Sequence, residues 1–373
     1  MHFDLSKPQK LLQESARTFF KRECPLTRVR ELMETGNGFD ETLWTHMVDQ
    51  GWTGLMLPEK YEGLELSIVE LAALAEEMGR ACTPSPFLAT TWASVLIAES
   101  ENTPIQTKYL KAIAEGSCMA TVALQDAESG WNPNLVATTL QPTDNGFKLT
   151  GEKWYVLDAA TADVLLVVAK KRDQLAIALI PRNREGISIE STPSIDETRK
   201  FSQVKFNEVT VSSEDLIAVG GQADKALQRS MHVGTIAVCA DLIGSMQWML
   251  ETTVEYAKTR KQFGVPIGSF QAVQHQCADM LLLLESSRSA TYYAAWALSE
   301  DDPASERAVS MAKAYCSDSG REIGNRACQV LGGIGFTWEH DLQLYYKRAK
   351  GDELLFGDAT FHREELAKQI LND

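Results

Sequence analysis

The chain has 373 residues, of which 36 are basic and 51 acidic, so its formal net charge at pH 7 is -15. This charge disfavours nucleic acid and anionic membrane surfaces as partners, and any phosphate group has to be bound by local geometry. The seven cysteines form no CxxC pair, and the sequence has neither a signal-peptide pattern nor eighteen consecutive apolar residues. We therefore expect a soluble protein of the reducing cytoplasm.

The first part of the chain is predicted to be helical. Apolar residues recur at three- and four-residue spacings from about Ser6 to Gly116. Proline and glycine residues interrupt this stretch and divide it into about five helices. We interpret residues 1–117 as an N-terminal helical domain.

The pattern changes near Met119 to that of a β structure. The tripeptide at 144–146, Asp-Asn-Gly, is a strong turn signal, and residues 147–157 alternate in polarity as a strand does. Further short β-branched segments lie at 121–124, 164–170, 175–180, 187–190 and 204–206. Because no helix intervenes, residues 118–222 are predicted to form a middle domain, an antiparallel β-barrel or sandwich.

A helical period returns at about Asp224 and continues to the end of the chain. Ile236, Ala240, Ile243 and Leu250 belong to one apolar stripe on a helix of more than five turns. Further helices are predicted over residues 271–299, 304–331, 342–350 and 360–371. Residues 223–373 are thus predicted to form a C-terminal four-helix bundle, and the fold class is α+β with mostly α structure.

Two turns interrupt the helices of the C-terminal third. The first lies in RKQFGVPIGSFQAVQHQCADM, residues 260–280, where Gly264, Pro266 and Gly268 stop helix propagation. The second is the double-glycine break in QVLGGIGF, residues 329–336. Each turn is either a plain connection between helices or a rigid loop that presents polar groups to a phosphate-bearing ligand.

These two turns, within the order of helices, sheet and helices, resemble the FAD-dependent acyl-CoA dehydrogenase family over the whole chain. The resemblance implies FAD between the β domain and the bundle, an acyl-CoA substrate that loses its α-proton to a base and its β-hydrogen to FAD, and electron-transfer flavoprotein or a similar acceptor. It also implies an oligomer, because the turns of one subunit reach FAD held mostly by its neighbour. The matching residues are Arg260, Gln262, Phe263, Gln329, Gly332 and Gly333.

The β domain departs from the family pattern. The family carries a Thr or Ser that reaches the flavin, and the corresponding residue here is Leu157, which cannot form a side-chain hydrogen bond. An earlier flavin segment of the family corresponds to residues 125–130, where only the acidic and small character remains. Flavin contacts from this chain's own β domain are therefore expected to be altered.

The usual catalytic base of the family is absent as well. Its two alternative positions correspond to Phe356 and Gly234, and the family arginine beside the second corresponds to Thr235. Asp358 and Glu353 are the nearby carboxylates that would have to act as substitutes.

Each substitute has a competing structural role. Asp358 opens the last helix and is suited to be its N-cap. Glu353 lies in a polar cluster, which favours a solvent-facing position. His362 and Arg363 on the last helix either meet a phosphate or face water.

The altered positions share a pattern, since residues directed at a neighbour's flavin are kept and those for the chain's own flavin and acyl group are lost. Our first hypothesis is one subunit of a heteromeric acyl-CoA dehydrogenase, paired with a family paralogue that supplies the base. The alternatives are a self-sufficient homo-oligomer that uses Asp358 or Glu353, and a non-catalytic acyl-CoA or protein-binding scaffold of the same fold. The six histidines show no metal-ligand spacing, so no metal site is expected.

Overall fold

The computed structural model describes residues 5–372. Its first part is helical, and short 3-10 helices connect some of its α-helices. The α-helices of this part are α1 (Lys7–Glu23), α2 (Leu26–Met33), α3 (Glu41–Asp49), α4 (Ile68–Arg80), α5 (Phe87–Ala98) and α6 (Thr103–Ala114).

Local sequence signals fix where several of these helices begin. Ser6 starts α1 and Ser67 starts α4, each with a capping box in which the residue three positions on, Gln9 or Glu70, bonds back to the cap backbone. Asn102 caps α6 by accepting a hydrogen bond from the backbone N–H of Ile105. These caps satisfy N–H groups that have no partner within the helix.

The middle of the chain forms one sheet of eight strands, in which the order of neighbours is β6, β7, β3, β2, β4, β5, β8, while β1 pairs with β4. The pairings are antiparallel except for β1 with β4 and a short one of β2 with β4, which are parallel. The strands are β1 (Ala120–Ala123), β2 (Thr139–Thr143), β3 (Gly146–Leu157), β4 (Val164–Lys171), β5 (Gln174–Pro181), β6 (Ile187–Thr192), β7 (Phe201–Val211) and β8 (Leu216–Val219).

The side chains of these strands build a dry core within the sheet domain. Leu149, Leu165, Ile180 and Val204 belong to a contiguous cluster of buried apolar residues. Burial of such side chains stabilises the domain by about 1.5–3 kcal/mol each. The alternation seen in the sequence of β3 follows from one face of the strand packing on this core.

The last part of the chain is helical again. A two-stranded hairpin, β9 (Lys261–Gln262) with β10 (Val265–Pro266), joins its first two helices. The helices are α7 (Gly221–Thr259), α8 (Gln271–Ser299), α9 (Ser305–Leu331), α10 (Leu342–Leu354) and α11 (Ala359–Asn372). Within the described residues, α7 is the one helix long and apolar enough to cross a bilayer, but 89% of its apolar window is buried inside the protein, as in a core helix.

By packing, the described chain forms two compact units. One contains the residues up to Arg30, Ser67–Thr83 and those from Thr235 onward; the other contains Glu31–Leu66 and Pro84–Gly234. The helix, sheet and helix order predicted from the sequence is confirmed. The domain boundaries at 117 and 222 stay a prediction. The sequence reading missed two strands of the sheet, β2 and β8, and predicted the β9–β10 hairpin only as a turn.

Within the first unit, α4 and α7 cross at backbone contact distance. A Cβ added to Gly79 would lie 1.8 Å from the carbonyl oxygen of Asp241, and one added to Gly244 would lie 1.8 Å from that of Glu76. Asp241 also accepts two hydrogen bonds from the buried guanidinium of Arg348, at 3.0 and 3.1 Å. This crossing fixes α7 and α10 relative to α4.

Candidate functional site

The turn after α7 is a protruding hairpin. Phe263 and Gly264 at its tip adopt left-handed backbone angles, with φ of 54° and 84°, and the backbone N–H of Ile267 closes the loop on the Arg260 carbonyl at 2.8 Å. Arg260 and Gln262 are exposed, and the Phe263 ring is 92% exposed. The fold therefore holds the turn in shape while its side chains point away from the chain's own core.

The double-glycine turn after α9 is open in the same way. Gly332 ends the helix with a φ of 64°, and a Cβ added to Gly332 or Gly333 would meet nothing within 4 Å. Gln329 is exposed, and Phe336 is an exposed aromatic side chain on the same turn. Backbone groups of the turn are accessible to another molecule.

The donors of the two turns fit a diphosphate. A guanidinium offers a planar fork to phosphate oxygens, and a glycine backbone lets N–H groups approach an anion closely. Both turns also expose large aromatic side chains, which is typical of surfaces that another subunit or a ligand covers. Arg260, Gln262, Phe263, Gln329, Gly332 and Gly333 are therefore suited to hold the phosphate-bearing end of a dinucleotide.

The β domain, in contrast, offers no hydroxyl at the position where the family has one. Leu157 is buried at the end of β3, and its carbonyl oxygen already accepts a hydrogen bond of 2.6 Å from the hydroxyl of Thr121. The residue type and this internal hydrogen bond do not fit the flavin contact of the family.

The acidic residue of the segment at 125–130 is also committed to the protein. Asp126 accepts hydrogen bonds from the Thr138 hydroxyl at 2.6 Å and from the Thr138 backbone at 3.2 Å, and pairs with Lys153 at 2.9 Å. Burial raises the pKa of Asp126, but the ion pair with Lys153 and the hydrogen bonds from Thr138 and Ala137 together outweigh burial, so the pKa is lowered. Burial lowers the pKa of Lys153 to about 8. Through Lys153 this carboxylate is tied to β3, and it is not available to a cofactor.

At the C-terminal base position the structure places a buried aromatic ring. Phe356 is 1% exposed and has a φ of 58°, and Gly357 follows with a φ of 97°. A Cβ on Gly357 would lie 2.3 Å from the Phe361 ring, so only glycine fits there. The Phe356 side chain has no group that can accept a proton.

Glu353 does not face solvent, so the prediction of a solvated position is wrong. It is 6% exposed, and its two carboxylate oxygens accept hydrogen bonds from Arg321 at 2.9 Å and from Lys350 at 3.0 Å. The cations that allow its burial come from α9 and α10. Both carboxylate oxygens of Glu353 are thus engaged in ion pairs within the protein.

Asp358 caps the last helix. Its Oδ1 accepts a hydrogen bond of 2.8 Å from the backbone N–H of Phe361, and its carbonyl oxygen accepts one of 3.1 Å from the backbone N–H of His362. The carboxyl is half-buried. The N-cap role, one of the two interpretations of the sequence, is thus present in the fold.

His362 neither faces water nor presents a free imidazole, contrary to the sequence reading. It is 5% exposed, with Nε2 3.0 Å from the carbonyl oxygen of Phe356 and Nδ1 3.3 Å from the hydroxyl oxygen of Ser310. Arg363 is exposed and pairs with Asp318 on α9. The contact of His362 with Ser310 joins residues 52 positions apart, and no local sequence pattern indicates it.

On α7, the residues at the second base position are small and buried, namely Gly234 and Thr235. His232, two residues earlier, was not singled out from the sequence; burial, followed by the charge of Arg229, lowers its pKa to about 4. A side chain that is neutral near pH 7 is compatible with this half-buried position. Among residues 5–372 no group of three or more His, Cys, Asp or Glu is placed to hold a metal ion.

Helical segments before and after a β domain, with an arginine turn and a double-glycine turn suited to a dinucleotide, are typical of a flavin-dependent oxidoreductase that acts on CH–CH bonds. Three family descriptions match the chain in order: "Acyl-CoA dehydrogenase, N-terminal domain" at residues 6–117, the middle domain at 121–209 and the C-terminal domain at 225–371. The chain belongs to the acyl-CoA dehydrogenase family.

Individual relatives match over nearly the full length. Acyl-CoA dehydrogenase IpdE2 of Mycobacterium tuberculosis is 30% identical over 348 residues, which are 93% of this chain and 92% of that protein. The IpdE2 protein of Mycolicibacterium smegmatis is 29% identical and covers 98% of both chains. A solved variant of the Tcur3481-Tcur3483 steroid ACAD is 29% identical, with a TM-score of 0.89 and 98% of both chains covered.

Proposed function

We propose that this chain is one subunit of a heteromeric FAD-dependent acyl-CoA dehydrogenase. A partner subunit of the same family holds most of the FAD and supplies the base, while Arg260, Gln262, Phe263, Gln329, Gly332 and Gly333 of this chain reach across to that FAD. The observation that carries the proposal is a contrast. The turns suited to a neighbour's cofactor are exposed, whereas the C-terminal base position holds the buried ring of Phe356.

In this arrangement the role of this chain is to bind and orient the FAD of the partner subunit. The Arg260 guanidinium neutralises the diphosphate as a bidentate donor, and the open backbone at Gly332 and Gly333 donates N–H groups without steric hindrance. When bound, FAD supplies the acceptor for the β-hydrogen of the acyl thioester. Electron-transfer flavoprotein or a similar acceptor takes up the electrons.

The proposed substrate is an acyl-CoA thioester with a bulky acyl group, in steroid or fatty acid catabolism. Two observations support a bulky group. Gly234 and Thr235 are small where the family carries larger, charged side chains, and a 29% identical relative is described as a steroid ACAD with two differently named chains. We assign the protein to the cytoplasm, because the spacing of its seven cysteines shows no disulfide pattern.

The second candidate function is a homo-oligomeric dehydrogenase in which Asp358 is the base. Asp358 lies two residues from the family base position and is half-buried, which favours it over Glu353. General-base catalysis typically accelerates a reaction by about 10²- to 10⁴-fold, so turnover measurements would readily detect a substitute base.

The test of the cross-subunit role is flavin occupancy of the assembled enzyme. In Arg260→Ala the assembly should lose most of its FAD, because the bidentate phosphate contact is removed, and Arg260→Lys should retain an intermediate amount. Lys261→Ala, which alters the next exposed residue of the same hairpin, is the matched control and should keep its FAD. Full FAD occupancy in the Arg260→Ala assembly would show that this turn does not contact the cofactor.

A further inference from the structure

A polar cavity of about 850 Å³ lies within the first compact unit. Its walls come from α1, α4, α7 and α8, and none of its described lining residues belongs to the two exposed turns. Small-molecule sites in proteins typically measure about 300–1,000 Å³. The cavity is therefore large enough for a small organic ligand, and it is separate from the residues proposed to contact FAD.

Two arginines of the cavity are held from behind by buried carboxylates. Glu77 is 1% exposed and accepts hydrogen bonds from Nε and Nη2 of Arg17, at 3.0 and 2.7 Å. Glu76 is 4% exposed; one oxygen accepts from Nε and Nη2 of Arg288 at 3.3 and 3.1 Å, and the other accepts from the Tyr292 hydroxyl at 2.8 Å. Separating a buried carboxylate from its cation is strongly unfavourable, so these pairs fix both guanidinium groups in place.

The carboxylates on the solvent side of the cavity are held less firmly. Glu251 pairs with Arg80 and Glu285 pairs with Arg288, and the two glutamate side chains are 47% and 54% exposed. Because an exposed ion pair contributes little to stability, each glutamate can turn outward with little loss. Both pairs also show which chemical group these arginines accept here, namely a carboxylate.

Further donors on the same lining are unused. Among residues 5–372, Nη1 of Arg17 donates no hydrogen bond, and neither do Nε and Nη1 of Arg80. The chain as a whole carries a net charge of -15, so long-range attraction does not bring an anion to this place. Binding of an anion has to come from the arrangement of the guanidinium groups themselves.

The charge balance of the cavity changes when the two exposed glutamates turn outward. The carboxylates that remain are those of Glu14, of Glu76 and of Glu77 behind Arg17. They then face four cations, which are Lys10, Arg17, Arg80 and Arg288. The cavity thus gains a net positive charge at the moment when its arginines become available.

We propose that this cavity binds a small organic anion with two or three carboxylate groups. The carboxylates of the ligand take the place of Glu251 on Arg80 and of Glu285 on Arg288, and Nη1 of Arg17 donates to the same ligand. The buried Glu76 and Glu77 stay paired and hold their guanidinium groups in position. This site does not depend on the proposed function, so the two proposals are tested separately.

Calorimetric titration of the purified protein with citrate, at constant ionic strength, tests the site. We expect saturable binding of one citrate per chain with a Kd below about 1 mM. Acetate, which has a single carboxylate, should bind at least about tenfold more weakly. Absence of citrate binding up to about 10 mM would overturn the proposal. Phosphate binding as tight as that of citrate would overturn the assignment to carboxylates.

Two variants are expected to change the Kd in opposite directions. Arg80→Gln removes a guanidinium whose partner is the exposed Glu251, so the fold should persist while the Kd for citrate rises by about tenfold. Glu251→Gln removes the competing carboxylate, and the Kd should fall by about threefold. Damage to the fold cannot produce tighter binding, so this second result does not depend on the stability of either variant.

The matched control is Arg326→Gln. Arg326 is also a partly exposed, ion-paired arginine, which contacts Asp279 and Glu322, but it lies outside the described lining of the cavity. This variant should keep the wild-type Kd for citrate. Equal Kd values in Arg80→Gln and Arg326→Gln, or weaker binding in Glu251→Gln, would overturn the proposal.

Discussion

Lys153 and Asp126 form an ion pair inside the β domain, with Lys153 Nζ 2.9 Å from Asp126 Oδ1 and the two side chains only 0% and 9% exposed. Lys153 also donates a hydrogen bond of 2.8 Å to the carbonyl of Leu124. The pair ties the segment at 125–130 to β3. The acidic residue of this segment is thus engaged in contacts within the β domain.

Removing one partner of this pair should be strongly destabilising. Lys153→Met leaves the Asp126 carboxylate buried without its cation, and we expect the free energy of unfolding to fall by about 3–5 kcal/mol. The double variant Lys153→Met, Asp126→Leu should recover much of this loss, since no charge remains buried. Urea denaturation of the three variants measures both effects, and equal losses in the single and double variants would contradict the account.

The same pair predicts a pH dependence of stability. Burial lowers the folded-state pKa of Lys153 to about 8, whereas the unfolded chain keeps the ordinary value of 10.5. Between these values the unfolded state binds more protons, so the stability of wild type relative to Lys153→Met should rise as the pH increases from about 8 to 10.5. Denaturation of both proteins across this range measures the difference; a flat or falling difference would be inconsistent with the lowered pKa.

The crossing of α4 and α7 gives a prediction about stability alone. In Gly79→Ala the new Cβ would lie 1.8 Å from the Asp241 carbonyl oxygen, so the helices have to separate, and we expect a loss of more than about 2 kcal/mol. Gly36→Ala is the matched control, because a Cβ there meets nothing within 4 Å. Thermal denaturation compares the two variants, and similar melting temperatures would show that the crossing relaxes easily.

Asp358 can be tested as cap and as base by two substitutions. Asparagine also accepts the Phe361 N–H, so Asp358→Asn should keep both the helix cap and the turnover of the assembly, whereas Asp358→Ala should lose about 1 kcal/mol of stability. Turnover and urea denaturation of both variants are the measurements. Loss of turnover in the stable asparagine variant would identify Asp358 as the base.

Much of the fold could be predicted from the sequence because its signals are local. The alternation of β3 and the long apolar stripe of α7 show directly which faces are buried. Two strands were missed for equally local reasons. Strand β2 contains Pro142 and is mostly exposed, and β8 spans only Leu216–Val219 after a 3-10 turn. Neither carries enough apolar pattern to be recognised.

The candidate site was only partly predictable. The two turns are recognisable because glycine, proline and arginine mark them in the sequence itself. The burial of Glu353 could not be recognised in the sequence, because one of the cations that pair with it, Arg321, lies 32 residues away on another helix. The hydrogen bond between His362 and Ser310 likewise depends on how α9 and α11 pack, which no spacing within either helix reveals.

We propose that this chain needs a partner subunit to hold its cofactor and to supply the base. The most direct measurement is flavin absorbance, and its bleaching by an acyl-CoA, for the chain purified alone and for the chain co-purified with a family paralogue that carries a Glu at either usual base position. We expect little flavin and no bleaching for the chain alone, and bound flavin that bleaches in the complex. Flavin that is bound and bleached by the chain alone would contradict it.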